Sequence, residues 1–125
     1  MGMGAVLDVL VIGAGPASLS IAAELGARGL AVGGLAPRDP AAPWTNTYGI
    51  WAQEVDSLGL AHLLGHRWSD TVSYFGPGSP ARGGRANASD DGLLRHGVPY
   101  GLFDKAALQA HWLERCTREI GRAHV

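Results

Sequence analysis

A glycine-rich turn near the amino terminus has the residue types that a bound diphosphate requires. In such a turn the first glycine makes the tight bend and the second lets a ligand approach the backbone, while the following helix presents N–H groups to the phosphates. The third position usually holds glycine or alanine, and Ser18 adds a hydroxymethyl group there. We predict that this turn binds the diphosphate of a nucleotide. Its residues are Gly13, Ala14, Gly15, Pro16, Ala17 and Ser18.

The elements around the turn are those of a βαβ unit. Residues 5–12 form a nearly continuous apolar run, which is typical of a strand buried on both faces of a parallel sheet. From Pro16 the apolar residues recur at helical spacing, and Gly29 suits the end of that helix. Residues 30–36 supply a second short strand. Together these elements fit within about 30 residues, the size of one βαβ unit, and they predict an α/β fold.

The end of the second predicted strand lacks the acidic residue that usually binds ribose hydroxyls. Ala36 stands where that acid is expected, and Arg38 and Asp39 follow slightly late. Asp39 suits an ordinary loop residue better than a ribose ligand, and one arginine does not establish a site for a 2′-phosphate. We expect either that backbone groups hold the adenosine end or that this end binds weakly.

The rest of the chain alternates between short elements and loops. We predict a loop over residues 38–43, an aromatic segment over 44–51, a helix over 54–64, a β-prone stretch over 71–75 and a long loop over 76–91. A return strand around residues 98–102 and a helix from Lys105 to about Arg118 follow. Residues 119–125 match the translation of a widely used sequencing adapter. We therefore expect natural sequence over 1–118, a non-native tail over 119–125 and a full-length gene that diverges at about Glu119.

Composition and charge argue against several classes of partner. The chain has 125 residues, and its 10 Lys and Arg against 11 Asp and Glu give no reason to expect nucleic acid. Its single cysteine, Cys116, excludes an intramolecular disulfide and is expected to be a buried helix residue. We predict no signal peptide and no transmembrane segment. We also expect no metal site, because His62 and His66 lack carboxylate partners.

Two segments carry a resemblance to a known family. Residues 8–17 read DVLVIGAGPA and resemble the FAD-binding start of a large flavoprotein group that includes aromatic hydroxylases and carotenoid enzymes. Residues 43–51 read PWTNTYGIW and are similar to the more specific signature Pro-Trp-Pro-Asn-x-Tyr-Gly-Val-Trp of lycopene cyclases from oxygenic phototrophs. Residues 66–69, 74–75 and 99–101 follow in the expected order. Over about residues 7–118 the chain resembles the amino-terminal part of a plant or cyanobacterial lycopene β-cyclase.

The resemblance implies a Rossmann-like FAD-binding domain, truncated before the rest of the sheet and the substrate domain. It implies cyclisation of the linear end groups of lycopene to rings without net redox change, with reduced FAD and with NAD(P)H as the electron source. Protonating a polyene needs a carboxylic acid held protonated in an apolar pocket. The family's acidic motifs lie downstream of this chain, so no catalytic residue is named, and Glu54 is expected to be a solvated helix carboxylate. Whether the rings are β or ε is left open by these residues.

The resemblance also implies further site residues. Lys105 stands near the place where related flavoproteins have an arginine that approaches the FAD phosphates, so we expect it to contact the cofactor. Asn46 is the member of the aromatic segment that we most expect to make a polar contact with the cofactor. Trp44, Tyr48 and Trp51 are expected either to line the flavin or polyene cavity or to fill the core between two layers.

The implied location is the cytoplasmic side of a photosynthetic or other internal membrane, with peripheral association of the full-length enzyme. Two other functions stay open. One is an FAD-dependent monooxygenase or another oxidoreductase of the same fold, and the other is a non-catalytic isoprenoid-binding carrier, which Ser18 and the missing ribose acid would suit. We expect these 125 residues alone to be inactive and to show either poor solubility or weak binding of FAD.

Overall fold

The computed structural model describes residues 6–76 and 92–120, and it has a mixed α/β architecture. The described residues divide into two compact units. The first unit takes the residues up to Asn46 and those from Lys105 onward, whereas the second runs from Thr47 to Asp104. The predicted fold class is therefore confirmed at the level of a mixed α/β chain.

The first unit contains the predicted strand, turn, helix and strand. Strands β1 (Val9–Ile12) and β2 (Val32–Leu35) pair in parallel, and helix α1 (Pro16–Ala27) connects them. A proline suits the start of α1 because the first N–H of a helix has no partner within it. Gly29, just beyond the helix, has a φ of +86°, which side chains with a β-carbon rarely adopt. Both strands are shorter than predicted, but the order of the elements is confirmed.

One face of the β1–β2 sheet is left largely open by the described residues. Leu10 and Ile12 are 53% and 72% exposed on that face, whereas Val11 and Gly34 line a cavity on the face that the helices cover. The prediction that β1 is buried on both faces was therefore wrong for the described part of the chain. The physical reason is that the described helices of this unit pack on one face of the sheet. Alternate side chains of β1 point to the other face and are left exposed.

Helix α3 (Lys105–Ile120) packs along α1 and completes the core of the first unit. Its predicted start at Lys105 is confirmed, and it ends two residues beyond the predicted Arg118. Residues 121–125 lie outside the described residues, so the predicted tail boundary stays a prediction. The buried apolar residues of the two helices are Leu19, Ala22, Ala23, Leu108, Trp112 and Cys116.

The second unit is built on a three-stranded antiparallel sheet. Strands β3 (Gly49–Trp51) and β4 (Leu64–Trp68) flank a central β7 (Tyr100–Phe103), and β5 (Val72–Tyr74) pairs separately with β6 (Leu93–Arg95). The β-prone stretch at 71–75 is confirmed as β5, and the return strand is β7. Strands β3 and β6 were not predicted. Most of the predicted long loop, residues 77–91, lies outside the described residues.

The helix predicted over residues 54–64 was wrong at its carboxyl end. Helix α2 (Ala52–Leu58) stops at Gly59, whose φ of +70° is the left-handed conformation that commonly ends a helix. A short 3-10 helix (Ala61–Leu63) follows, and β4 then begins at Leu64. The apolar cluster that suggested a continuing helix is therefore shared by three different elements.

Candidate functional site

The first glycine of the turn is required by the fold itself. Gly13 has a φ of +126°, in the region that residues with a β-carbon rarely enter. A β-carbon built at Gly13 would lie 2.5 Å from Oγ of Ser18, closer than real β-carbons approach another heavy atom. The N–H of Gly13 donates to the carbonyl of Leu35 at 2.8 Å, which joins the turn to the end of β2. The predicted tight bend is confirmed at this residue.

The second glycine is not required by the fold. Gly15 is the N-cap of α1 and has φ −85° and ψ −175°, an extended conformation that any residue adopts. A β-carbon built there would meet no atom within 4 Å. Neither the backbone nor the packing of the described residues therefore explains a glycine at this position. Its effect is to keep clear the space in front of the helix, as close approach of a ligand to the backbone requires.

The amino terminus of α1 is electrostatically suited to an anion. No side chain caps it, and no acidic residue lies in its first turn. The N–H groups of a first helical turn have no partners within the helix, and with the helix dipole they create a partial positive charge. The clear space at Gly15 therefore lies at the end of α1 that attracts phosphate groups.

Trp44 connects the glycine turn to the loop that follows β2. Its indole Nε1 donates a hydrogen bond to the carbonyl of Ala14 at 2.8 Å. The same residue lines a pocket of about 460 Å³ between residues 41–44 and α3, and Lys105 lines this pocket too. Lys105 Nζ donates to the carbonyl of Thr45 at 3.4 Å. Trp44 therefore supports the turn and lines a pocket, whereas its lining of a flavin or polyene cavity stays a prediction.

Gln109 of α3 is a buried polar residue that the sequence analysis missed. It is 7% exposed, and its Nε2 donates to the carbonyls of Pro40 and Ala42 at 2.8 and 2.7 Å. Its Oε1 accepts the backbone N–H of Trp44 at 3.4 Å. The signal was present in the sequence, because Gln109 lies three and seven residues before Trp112 and Cys116, on the apolar stripe of the helix.

The remaining predicted site residues have different surroundings. Asn46 is exposed, and it is the last residue of the amino-terminal segment of the first unit. Tyr48 and Trp51 belong to the second unit, where the carbonyl of Tyr48 accepts the N–H of Phe103 and the ring of Trp51 packs edge-on against Tyr100 with centroids 5.1 Å apart. Contacts of this kind support the packing of that unit, while cavity lining by Tyr48 and Trp51 stays a prediction.

The loop after β2 has an acidic residue with a structural partner. Asp39 Oδ1 accepts the N–H of Ala41 at 2.9 Å, the local bond of a turn, which agrees with the expectation of an ordinary loop residue. Ala36, at the position where a ribose-binding acid was sought, lines a cavity of about 70 Å³ under α3. Ala36 therefore presents an apolar side chain at this position, and Asp39 is engaged within its own turn.

Two ionisable groups of the first unit, Glu24 and Cys116, join α1 to α3. Glu24 pairs with Arg28 and with Arg115, and these hydrogen bonds lower the pKa of its carboxyl group. Burial raises the pKa of the Cys116 thiol, whose Sγ donates to the carbonyl of Leu19 at 3.1 Å. Across residues 6–76 and 92–120, no cluster of three or more His, Cys, Asp or Glu could hold a metal ion.

No helix in the described part of the chain combines the length and the apolar character needed to cross a membrane. Glu54 is exposed on α2, as expected of a solvated carboxylate.

Comparison with known proteins gives consistent matches. The family model described as lycopene cyclase protein matches residues 8–125. A lycopene beta cyclase from Synechococcus elongatus is 56% identical over 121 residues, which are 93% of this chain and 26% of that protein. A chloroplastic lycopene beta cyclase from Nicotiana tabacum is 31% identical, with 90% and 20% covered. A chloroplastic neoxanthin synthase from Solanum lycopersicum is 32% identical, with 87% and 19% covered. The chain thus spans about a quarter or less of the length of these relatives.

Proposed function

The chain belongs to the lycopene cyclase family, and we propose that the protein of which it is part is an FAD-dependent lycopene β-cyclase. The reaction is the cyclisation of the linear end groups of lycopene to β-rings without net redox change. The similarity to a lycopene beta cyclase at 56% identity supports the choice of lycopene as the substrate. The share of that relative that is covered, 26%, makes the activity of the whole protein part of the proposal.

The observation that carries the cofactor proposal is the glycine at position 15. Its backbone is extended and its surroundings are empty, so the fold would accept a side chain there. A glycine that the fold does not need, at the uncapped start of a helix after a parallel strand, is explained when a diphosphate approaches the backbone at that point. We assign the diphosphate of FAD to residues 13–17.

Other residues of the first unit would complete the cofactor site. Lys105 carries a positive charge into the lining of the pocket that also contains Trp44, and Asn46 follows in the same segment. A lysine supplies a point charge to a phosphate where an arginine would supply a planar fork. When bound, the reduced flavin would stabilise positive charge or supply acid, and NAD(P)H would keep it reduced.

Ring formation itself needs one proton to enter and one to leave. A proton adds to the terminal double bond of the polyene, the resulting cation closes on a neighbouring double bond, and loss of a different proton restores neutrality, so no electrons are gained or lost. Unless the reduced flavin supplies the proton, the acid is a carboxyl group kept protonated in an apolar pocket. Within this proposal the described residues bind and orient the cofactor, and the acid belongs to the remainder of the protein.

The experiment is expression of the full-length gene in cells that accumulate lycopene, with chromatography of the pigments. We expect carotenoids with β-rings and a purified protein that is yellow from bound flavin. Unchanged lycopene, in cells whose protein is folded and contains flavin, would refute the cyclase assignment. ε-Rings would refute the ring type alone.

The same preparation separates the rival functions. NADPH consumption coupled to hydroxylation of a substrate would indicate a monooxygenase, and a protein that retains carotenoid but releases no flavin on denaturation would indicate a carrier. Because lycopene is a hydrocarbon, we further propose that the full-length protein attaches peripherally to the internal membrane that holds its substrate, from the cytoplasmic side. Recovery of the whole protein in the soluble fraction, without detergent, would contradict that location.

A further inference from the structure

We propose that Gln109 is a positioning residue for the glycine turn, acting through the loop over residues 40–44 and through Trp44. This inference rests on the proposed function only in naming the ligand of the turn as the FAD diphosphate. The mechanical connection from α3 to the turn stands on hydrogen bonds within the first unit.

The connection begins with the side-chain amide of Gln109, which makes three hydrogen bonds. Gln109 Nε2 donates to the carbonyls of Pro40 and Ala42, and its Oε1 accepts the N–H of Trp44. Three backbone groups within five residues of loop are thus held by one side chain from a neighbouring helix. The amide is 7% exposed, and a buried polar group of this kind is costly unless it is paired. A leucine there would pack, but it would leave two carbonyls without their donors.

The second step runs from the loop to the turn. The end of the loop is Trp44, whose indole Nε1 reaches the carbonyl of Ala14 at 2.8 Å. Gly15 follows Ala14, so the carbonyl of Ala14 and the N–H of Gly15 belong to one planar peptide group. Holding that carbonyl therefore holds the direction of the Gly15 N–H. Displacement of the loop would release one side of the phosphate-binding backbone.

Gln109 is placed to act on the turn through the loop. Its hydrogen bonds go to the three backbone groups named above, and it also lines the pocket that Trp44 and Lys105 line. Its replacement should therefore change how well the turn is ordered before the ligand arrives, which appears as weaker binding and faster amide exchange. A residue that served only the packing of α3 would lower stability without either effect on the turn.

The experiment compares Gln109→Leu and Trp44→Phe with Cys116→Ala in the full-length protein. Cys116 is the matched control, because it lies on the same helix at 6% exposure and bonds to Leu19 of α1 instead of the loop. The first readout is hydrogen exchange of the flavin-free protein at the amide of Gly13, which is bonded to the carbonyl of Leu35. The second readout is the Kd for FAD.

We expect both Gln109→Leu and Trp44→Phe to speed exchange at the turn and to raise the Kd for FAD by about three- to tenfold, the range for one neutral hydrogen bond at the turn. The double variant should be no weaker than the weaker single variant, because both changes break one path. Cys116→Ala should lower the unfolding temperature and leave both readouts unchanged.

Two failures are distinguishable. If FAD binds but Gln109→Leu alters neither exchange nor Kd, or if the effects of Gln109→Leu and Trp44→Phe simply add, the positioning role is overturned. If the wild-type protein binds no FAD while exchange at the turn still responds to Gln109→Leu, the positioning role stands and the proposed cofactor fails.

Discussion

Replacing Gly15 by alanine should show whether glycine is required at this position for ligand binding or for folding. The extended backbone at Gly15 accepts alanine, and no atom lies within 4 Å of the added methyl group. Replacing glycine by alanine reduces the conformational entropy of the unfolded chain, which stabilises the protein by about 0.4–1 kcal/mol. Alanine is a poorer N-cap residue than glycine, and this costs about as much. The free energy of unfolding of the flavin-free protein should therefore change by less than about 1 kcal/mol.

The same methyl group should weaken flavin binding strongly. It would stand where a diphosphate meets the backbone, so that one charge-assisted hydrogen bond is lost or lengthened, at a cost of about 1.5–3 kcal/mol. That cost corresponds to a Kd for FAD about ten- to hundredfold higher. Titration of the flavin-free, full-length protein by quenching of flavin fluorescence measures the Kd, and urea unfolding of the same samples measures stability.

Two other glycines provide the comparison. Gly13→Ala forces a side chain into a φ of +126° and against Ser18, so it should cost about 1–3 kcal/mol of stability. Gly65→Ala makes ordinary contacts with Asp104, the nearest at 3.6 Å, and should change neither quantity. The reasoning is refuted if Gly15→Ala binds FAD as tightly as the wild type, or if it destabilises the fold as much as Gly13→Ala does.

Three further predictions concern stability and reactivity. Arg28 and Arg115 lower the pKa of Glu24, so its carboxylate stabilises the fold at pH values above its ordinary pKa of 4.5. That stabilisation is lost as the pH falls through the lowered pKa. Glu24→Gln should therefore flatten this part of a curve of stability against pH. Cys116, whose pKa burial raises, should react with a thiol reagent at least about tenfold more slowly in the native protein than in urea. Val55→Ala, at a fully buried position, should cost about 2–3 kcal/mol in urea unfolding.

The elements that could be predicted from sequence are those whose signal is local. The start of α1 and its end before Gly29 follow from a proline, a four-residue apolar repeat and a glycine. The start of α3 at Lys105 is equally local. The aromatic segment at 43–51 also identified the family, because nine residues of one motif need no knowledge of contacts.

What could not be predicted depends on partners distant in the chain. Strands β3 and β6 have three residues each, too few for a pattern, and β3 exists because it pairs with β7 about 50 residues later. The burial of β1 was overestimated, because an apolar run favours burial but does not show whether a second layer packs on the other face of the sheet. Gln109 was missed for the same reason, since its hydrogen-bond partners are one backbone N–H and two carbonyls that lie 65–69 residues away in the chain.

The serine at the third position of the turn shows how a departure from a motif is absorbed. Glycine or alanine is usual there because the helix must approach the strand closely. Here the hydroxyl of Ser18 occupies the space in which a β-carbon of Gly13 would stand, 2.5 Å from its Oγ. Ser18 therefore fits because Gly13 has no β-carbon, and the space it uses lies on the side where the helix packs against the strand. Nothing is taken from the clear space at Gly15, so the substitution alters the packing of the turn and leaves open the backbone surface that a diphosphate would use.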